Sequence, residues 1–359
     1  MNRNFVIIAL LLFILMFTLY SMFKTQKVKA NGTIYIKADG SINPPDAPIQ
    51  SEDNYTYTIT RDIFNKTILI EKNGTIIDGK NHKLKGSGIY VPNDGFHISR
   101  VSNVTIKNVK ITNYYSGVSL ELCDNIVISN NEIINNSYAV YSSWCECCKL
   151  IGNRMAYSQG GCVYLVNSKD FTIINNEIFN NNVYGIRISS SLYCRIINNN
   201  ISNNRYGIYM RLNSNGNSIY HNNFINNQVL IENSKNNKWD DGYPSGGNYW
   251  SDYACVDLYS GPYQNETRND GIGDTPYIID EDNMDRYPLM HPWKAVTIVS
   301  DVNHDGKVDI LDVVLAASIY GCRVGEPGWN SEADVAPPYG IINILDLITI
   351  AANYGQTTT

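Results

Sequence analysis

NIVISNNEIINN (125–136), CCKLIGNRMAYS (147–158), DFTIINNEIFNN (170–181), YCRIINNNISNN (193–204) and GNSIYHNNFINN (216–227) fall into register when the chain is cut every 22 or 23 residues. NVTIKNVKITN (103–113) is an earlier copy. Three columns run through the copies. One is polar: Asn131, Asn153, Asn176, Asn199, Asn222. Two positions on, one is apolar: Ile111, Ile133, Met155, Ile178, Ile201, Phe224. A later one is small: Gly117, Ala139, Cys162, Gly185, Gly207. A fixed period of this size marks a solenoid, in which each repeat buries its apolar face against its neighbours. The Leu framework of a leucine-rich repeat is missing. Within a copy, FTI, NEI and GIRI alternate apolar and polar residues, which is the period of a strand. Short strands joined by Asn and Gly turns predict a parallel β-helix with rungs about 4.8 Å apart. At that spacing each Asn reaches the Asn above and below, and Asn tolerates the left-handed backbone of a tight turn. The Asn column is therefore expected to be structural.

The 359 residues include 47 Asn, and 31 of these lie between residues 101 and 250. That stretch is also rich in Ile and Tyr, so it does not have the composition of disorder, and Asn is a poor helix former. Net charge is −6 with 17% charged residues, which argues against a nucleic-acid partner. Upstream, Thr33–Ile36, Thr67–Ile70 and Ile76–Asp78 read as strands of the first rungs. The β-helix is expected over residues 31–238. Residues 239–293 are expected to cap its open end, which would otherwise expose an aggregation-prone edge. Phe5 to Phe23 is an apolar run flanked by Arg3 and by Lys24, Lys27 and Lys29, with Val28-Lys29-Ala30 before a plausible cut. Residues 1–30 read as a secretory signal peptide, with an uncleaved N-terminal membrane anchor as the alternative. Either one places the remainder outside the cytoplasm, secreted or at the cell surface.

TIYIKADGSI (33–42), GTIIDGKNHKLKGSG (74–88) and the Asn-Asn rungs resemble the right-handed, CASH-type β-helix repeats of carbohydrate-binding and sugar-hydrolase proteins. WDDGYPSGGNYWSDY (239–253) and GIGDTPYIIDEDNMDRYPLM (271–290) resemble, more narrowly, the NosD-like periplasmic and surface proteins, above all archaeal surface versions. The resemblance covers residues 31–290. It implies an all-β, right-handed solenoid and leaves function open, because one fold hosts many activities.

Sugar-cleaving members of that wider family carry outward carboxylate pairs and NTD, DD, GHG and RIK motifs. Here NTD and GHG are missing, Asp240-Asp241 is a lone pair outside the rungs, and Arg187-Ile188-Ser189 departs from RIK. The outward column Lys110, Glu132, Arg154, Glu177, Asn200 alternates in sign, which favours cross-rung pairing over a poised acid and base. The NosD resemblance implies copper, yet His82, His97, His221, His291 and His304 are scattered. Two residues past the small column comes an outward stripe: Ser119, Tyr141, Tyr164, Arg187, Tyr209. Tyr faces and an Arg plane suit sugar rings, and Tyr equally has high strand propensity. The expectation is an exported, non-catalytic protein that binds carbohydrate or another surface polymer through Tyr141, Tyr164, Arg187 and Tyr209. A polysaccharide hydrolase or lyase is the second reading, and a metal-maturation accessory of the NosD type the third. Among the eight Cys, Cys123 and Cys145 are one rung apart and form the candidate disulfide of an exported chain. Cys145, Cys147 and Cys148 also form a cluster of soft ligands.

Past residue 293 the composition changes. Asp301, Asn303, Asp305, Asp309 and Asp312 occupy positions 1, 3, 5, 9 and 12 of an EF-hand-type calcium loop. Gly306 fills the sharp turn and the Lys307 carbonyl position 7. Val313 to Tyr320 continues as an apolar helix ending at Gly321. The pattern recurs from Asp334 through Asn343 and Asp346, without oxygen side chains at the third and fifth positions. One good and one degenerate calcium site are expected. Two such loop-helix units resemble a type I dockerin over residues 295–355. The resemblance implies a small α-helical, calcium-stabilised module (294–359) that docks onto a cohesin-like protein.

Overall fold

The fold is described from a computed structural model, over residues 32–294, 300–303, 307–324, 326 and 329–356. The expected signal or anchor segment, and the loop residues Asp305 and Gly306, lie outside the described residues. The chain divides into two compact units, one up to Trp293 and one from Lys294.

In the first unit, strands stack into three long sheets of ten, nine and nine strands, parallel except where Ile42–Asn43 pairs with Thr33–Ile36 and Ile49–Gln50 with Thr56–Ile59. One rung shows the plan. Ser116–Glu121 lies in the first sheet, Val127–Ser129 in the second and Glu132–Ile134 in the third; Tyr138–Ser143 re-enters the first sheet one rung on. This is a right-handed parallel β-helix. The register matches the repeat. Ile106, Ile128, Leu150, Ile173, Ile196 and Ile219 follow one another up the second sheet. Ile111, Ile133, Met155, Ile178, Ile201 and Phe224 do so up the third. All are buried, and each full burial of such a side chain stabilises by roughly 1.5–3 kcal/mol. The upstream strands join the stack: Thr33–Ile36 pairs with Thr67–Ile70, and Ile76–Asp78 with Thr105–Lys107.

The turns correct one expectation. A single Asn column was expected both to bend the chain and to form the ladder, but each Asn-Asn pair divides these tasks. The first residue takes the left-handed backbone, with φ of 53° at Asn130, 56° at Asn175 and 57° at Asn198, and Gly152 takes its place at 60°. The second residue points inward, is buried, and makes the ladder. Asn176 Nδ2 donates to Leu150 O (2.9 Å), Ile174 O (2.9 Å) and Asn199 Oδ1 (3.0 Å). Its Oδ1 accepts from the backbone and side-chain amides of Asn153 at 2.8 and 3.0 Å. Asn181, Asn204 and Asn227 build a second ladder in the next turn, and Ser168, Ser191, Ser214 and Ser234 a third. The small column sits where the first-sheet strand bends. A Cβ on Gly117 would stand 2.6 Å from Ile133 Cγ2 and 2.7 Å from Ala139 O.

The third sheet runs into the stretch expected as cap, because Tyr249–Trp250 pairs with Asn223 and Phe224. Trp250 stacks on Phe224 (4.4 Å) and on Tyr277 (4.2 Å), closing the apolar interior. The Asn ladder also ends here. Asn222 bonds to Asn248 Oδ1, and Asn248 N donates to Asp285 Oδ2 at 2.7 Å. Asp285 further accepts from Trp250 Nε1 (2.9 Å) and Tyr287 N (3.1 Å). Burial outweighs these donors and pushes its carboxyl up to about 7.

The second unit holds helices Ile310–Ser318 and Ile344–Ala352, capped by Asp309 and Asn343. The first starts three residues before the expected Val313, because the Asp309 carboxylate accepts from Leu311 N at 2.8 Å. The halves share a design. Asp312 accepts from Asn303 N and Asp309 N, and Asp346 accepts from Ala336 N and Asn343 N. Val302, Val308, Ala316, Ala333, Ile342 and Ile350 form a small core of their own. Among the described residues no helix is long and apolar enough to cross a membrane.

Candidate ligand-binding face

The outward stripe of the first sheet is where its register was expected. Ser119, Tyr141, Tyr164, Arg187 and Tyr209 are successive cross-rung partners. A second outward column lies beside it and was not anticipated: Ser116, Tyr138, Gly161, and then Tyr184 beside Tyr206. Strands such as Tyr184–Ser189 bury two consecutive residues, Gly185 and Ile186. That bend puts positions i and i+3 on the same side, whereas a flat strand would put them on opposite faces. The Tyr-x-x-Tyr and Tyr-x-x-Arg spacing at 138–141, 184–187 and 206–209 was the available signal.

The two columns merge into one aromatic wall. Tyr141 and Tyr164 meet edge to face at 5.5 Å, and Tyr138 lies 6.0 Å from Tyr164. Tyr184 stacks on Tyr209 at 4.9 Å and on Tyr206 at 5.9 Å. Arg187 sits between these groups, its guanidinium 4.3 Å from the Tyr164 ring centroid, 5.4 Å from Tyr184 and 5.5 Å from Tyr209. Tyr141, Tyr164 and Arg187 are half-buried. Tyr209 differs from the expectation of an exposed ring: it is only 5% exposed, and its hydroxyl donates to Glu232 Oε2 at 2.7 Å. Burial, then that carboxylate, raises its hydroxyl pKa. Tyr209 therefore supports the wall from behind. At the other end of the face His97 pairs with Asp94 at 3.0 Å, and that hydrogen bond raises the imidazole pKa.

Arg154 bridges Glu132 at 2.9 Å and Glu177 at 3.6 Å, so the alternating column is a charge ladder. Asp240 is buried and bidentate to Arg286, at 2.9 and 2.6 Å. Cys123 and Cys145 stand in adjacent rungs as free thiols, with Cys123 N donating to Cys145 Sγ at 3.4 Å. Cys148 is also a free, buried thiol, whereas Cys147 is exposed. The Cys145 hydrogen bond and burial push the Cys123 and Cys148 thiols up. In the first loop of the second unit, Asp301 is buried, and Asp309 caps its helix and meets Lys307 Nζ at 2.7 Å. In the second loop Asp334 Oδ2 accepts from Gly340 N, while Asp334 Oδ1 is buried without a partner among the described residues. Among the described residues no group of three or more His, Cys, Asp or Glu is arranged to hold a metal ion.

The family described as "Periplasmic copper-binding protein (NosD)" has a model that matches residues 53–255, more than half of the chain. No curated protein matches. Among solved structures the chain is similar to the periplasmic alginate epimerase AlgG: 14% identity, 54% of this chain and 61% of that one, TM-score 0.34. It is also similar to pectate lyase Pel9A (12%, 58% and 62%, TM-score 0.37). A third is tailspike protein 2 of an Escherichia coli O157:H7 bacteriophage (13%, 58% and 38%, TM-score 0.38). The chain spans less than two thirds of the length of each of these proteins. Among the described residues the histidines do not gather into a group that would hold copper. His82 is engaged with Asp62, His97 with Asp94, and His221 with Ser245 O and the Trp293 ring.

Proposed function

The chain belongs to the NosD family, and on that premise we propose that it is an extracytoplasmic, non-catalytic β-helix protein that binds carbohydrate or another surface polymer along its first sheet. The observation that carries this reading is the continuous wall of Tyr138, Tyr141, Tyr164, Arg187, Tyr184 and Tyr206. Aromatic faces and a guanidinium plane repeat there at rung spacing along the axis. Polymers with regularly spaced rings suit such a surface. The periplasmic description of the family supports the location. A glycan array tests the reading. A Tyr138→Ala/Tyr141→Ala/Tyr164→Ala variant that keeps every wild-type affinity removes the wall as the site. Release of reducing or unsaturated sugar ends by the wild type would replace binding with polysaccharide cleavage.

The C-terminal module is proposed to hold one calcium ion through Asp301, Asn303, Asp305, the Lys307 carbonyl, Asp309 and Asp312. The oxygen spacing around Gly306 supports this, as does the burial of Asp301 and Asp312, since a buried carboxylate calls for a cation or donors. Asp334, Asn343 and Asp346 make a weaker second site, because the loop lacks two oxygen side chains. Calorimetric titration of the full chain should show one tight site, lost in Asp301→Ala; two equally tight sites would contradict this. A cohesin-like protein is the proposed partner. Exposed Ile310, Leu311 and Val314 on one helix are repeated as Ile344, Leu345 and Ile348 on the other. Unchanged cohesin binding by a Leu311→Asp/Leu345→Asp variant would remove that face.

A further inference from the structure

We infer that the polymer bound by the tyrosine wall is anionic, a polyuronate whose carboxylate groups seat on Arg187. This rests on the polymer-binding reading above and adds the ligand's chemical class.

Two arginines of the first unit hold carboxylates: Arg154 takes Glu132 at 2.9 Å and Arg286 takes Asp240 at 2.6 Å. Among the described residues no carboxylate lies within ion-pair distance of Arg187, Arg205 or Arg211. All three guanidinium groups instead lie against tyrosine rings: Arg187 as described, Arg205 at 5.3 Å from Tyr206, and Arg211 at 5.9 Å from Tyr209. The Nε atoms of Arg187 and Arg211 are buried and have no acceptor among the described residues. Glu232 stands opposite Arg211 in the next rung, yet it accepts from the Tyr209 hydroxyl. So in a chain of net charge −6, this end of the face holds cations whose own side of the ledger of charges is unfilled.

The cage selects among ligands. Rings on several sides of Arg187 fix the guanidinium plane, which removes much of the rotamer freedom that a carboxylate would otherwise have to immobilise. A planar carboxylate matches the fork of guanidinium donors and can be held by two parallel hydrogen bonds. A neutral polymer laid on the same wall would strip water from the guanidinium groups and return no charge, which disfavours it. The placement also suits a repeating anion. Arg187 is opposite Tyr209 and Ser189 is opposite Arg211. Arg211 is thus one rung and two residues from Arg187, or about 8 Å between backbones at 4.8 Å per rung and 3.3 Å per residue. The Tyr209 ring lies 5.5 Å from the Arg187 guanidinium and 5.9 Å from that of Arg211, so the two cations flank it.

The test uses the full chain against polygalacturonate, alginate, fully methyl-esterified polygalacturonate, dextran sulfate and a single-stranded oligonucleotide. Wild type is expected to bind a polyuronate at least tenfold more tightly than the ester, with affinity falling as salt rises. Arg187→Gln should abolish that preference while leaving the thermal midpoint within a few degrees, and Arg187→Lys, which keeps the charge and loses the fork, should restore only part of it. Tyr164→Ala should weaken binding to both the acid and the ester. Equal affinity for acid and ester, both weakened by Tyr164→Ala, overturns the anion assignment and leaves the polymer-binding reading standing. Dextran sulfate or the oligonucleotide bound as tightly as the polyuronates overturns the carboxylate assignment. Binding to none of the polymers overturns this inference together with the reading it rests on.

Discussion

The column Asn153–Asn176–Asn199 and the column Tyr141–Tyr164–Arg187 climb the same rungs, one inside the coil and one outside. Both repeat at 22 or 23 residues, and both place chemically rich side chains within reach of their neighbours. Inside, hydrogen bonding is saturated. The two hydrogens of Asn176 Nδ2 face three acceptors at 2.9–3.0 Å, and Oδ1 accepts two bonds at 2.8 and 3.0 Å. Outside, the contacts are ring against ring and ring against cation, and Arg187 Nε has no acceptor among the described residues. Repetition therefore does not distinguish scaffold from site. What distinguishes them is whether the side chain's bonding capacity is used up by the protein itself.

The largest expected effect lies on the saturated side. Asn176→Ala leaves the buried backbone amide of Asn153 without its acceptor, takes from the Asn153 side-chain amide one of its two acceptors, and removes a donor from the Leu150 carbonyl. Each stranded buried group costs about 1–3 kcal/mol, so the loss should reach several kcal/mol and lower the urea midpoint steeply. If Asn176→Ala unfolds at the wild-type midpoint, the ladder is not a stabilising device and the contrast collapses.

The end of that ladder titrates. Asp285 has an ordinary value of 3.8 and is raised to about 7 in the folded protein by burial. A raised folded value means the native state holds the proton more tightly than the unfolded chain. The associated stability is fully present below pH 3.8 and is lost as pH rises through about 7. Urea midpoints measured from pH 4 to 8 should fall across that window, and in Asp285→Asn that decline should flatten. A decline of the same size in Asp285→Asn would assign it to other groups.

On the unsaturated side, Tyr164→Ala should cost only about 1 kcal/mol of stability, the worth of an aromatic pair at a half-exposed site. Polymer binding, by contrast, should fall by tenfold or more. The same substitution thus separates the two columns: the inner one is read by unfolding, the outer one by binding. Equal stability losses in Tyr164→Ala and Asn176→Ala would mean that the wall is a second scaffold.

The fold was legible because the repeat is strict enough to fix register. The apolar column at Ile111, the strands, and the outward position of Tyr141, Tyr164 and Arg187 all follow from aligning the copies. The second tyrosine column did not follow, because strict alternation assigns Tyr184 and Arg187 to opposite faces. The bend at Gly185-Ile186 is a local departure from alternation, made possible by a residue too small to fill the space beneath Gly207 O. The end of the ladder was invisible for another reason. Asn248 and Asp285 are 37 positions apart in irregular chain, where no period links them. Tyr209 was misjudged because register shows which way a side chain leaves the sheet and not what then folds over it.

The finest division in the molecule runs between two adjacent residues of the same kind. Asn175 is exposed with φ 56°, whereas Asn176 is buried in the ladder. A left-handed backbone costs most L-residues about 1–2 kcal/mol, less for Asn, and nothing steric for Gly. The column itself contains that exchange, since Gly152 holds the equivalent place at φ 60°. Asn175→Gly should therefore change stability by only a few tenths of a kcal/mol, the gain in backbone freedom in the unfolded chain offsetting the relief at the turn. Asn175→Ala should cost about 1 kcal/mol, because Ala has the Cβ penalty without Asn's tolerance of that conformation. At Asn176 the order changes: Gly and Ala should both be severely destabilising, because there the side chain's hydrogen bonds matter and the backbone's freedom does not. If Gly and Ala are equivalent at Asn175, the first Asn of each pair is not selected for its backbone, and the division of tasks within the pair fails.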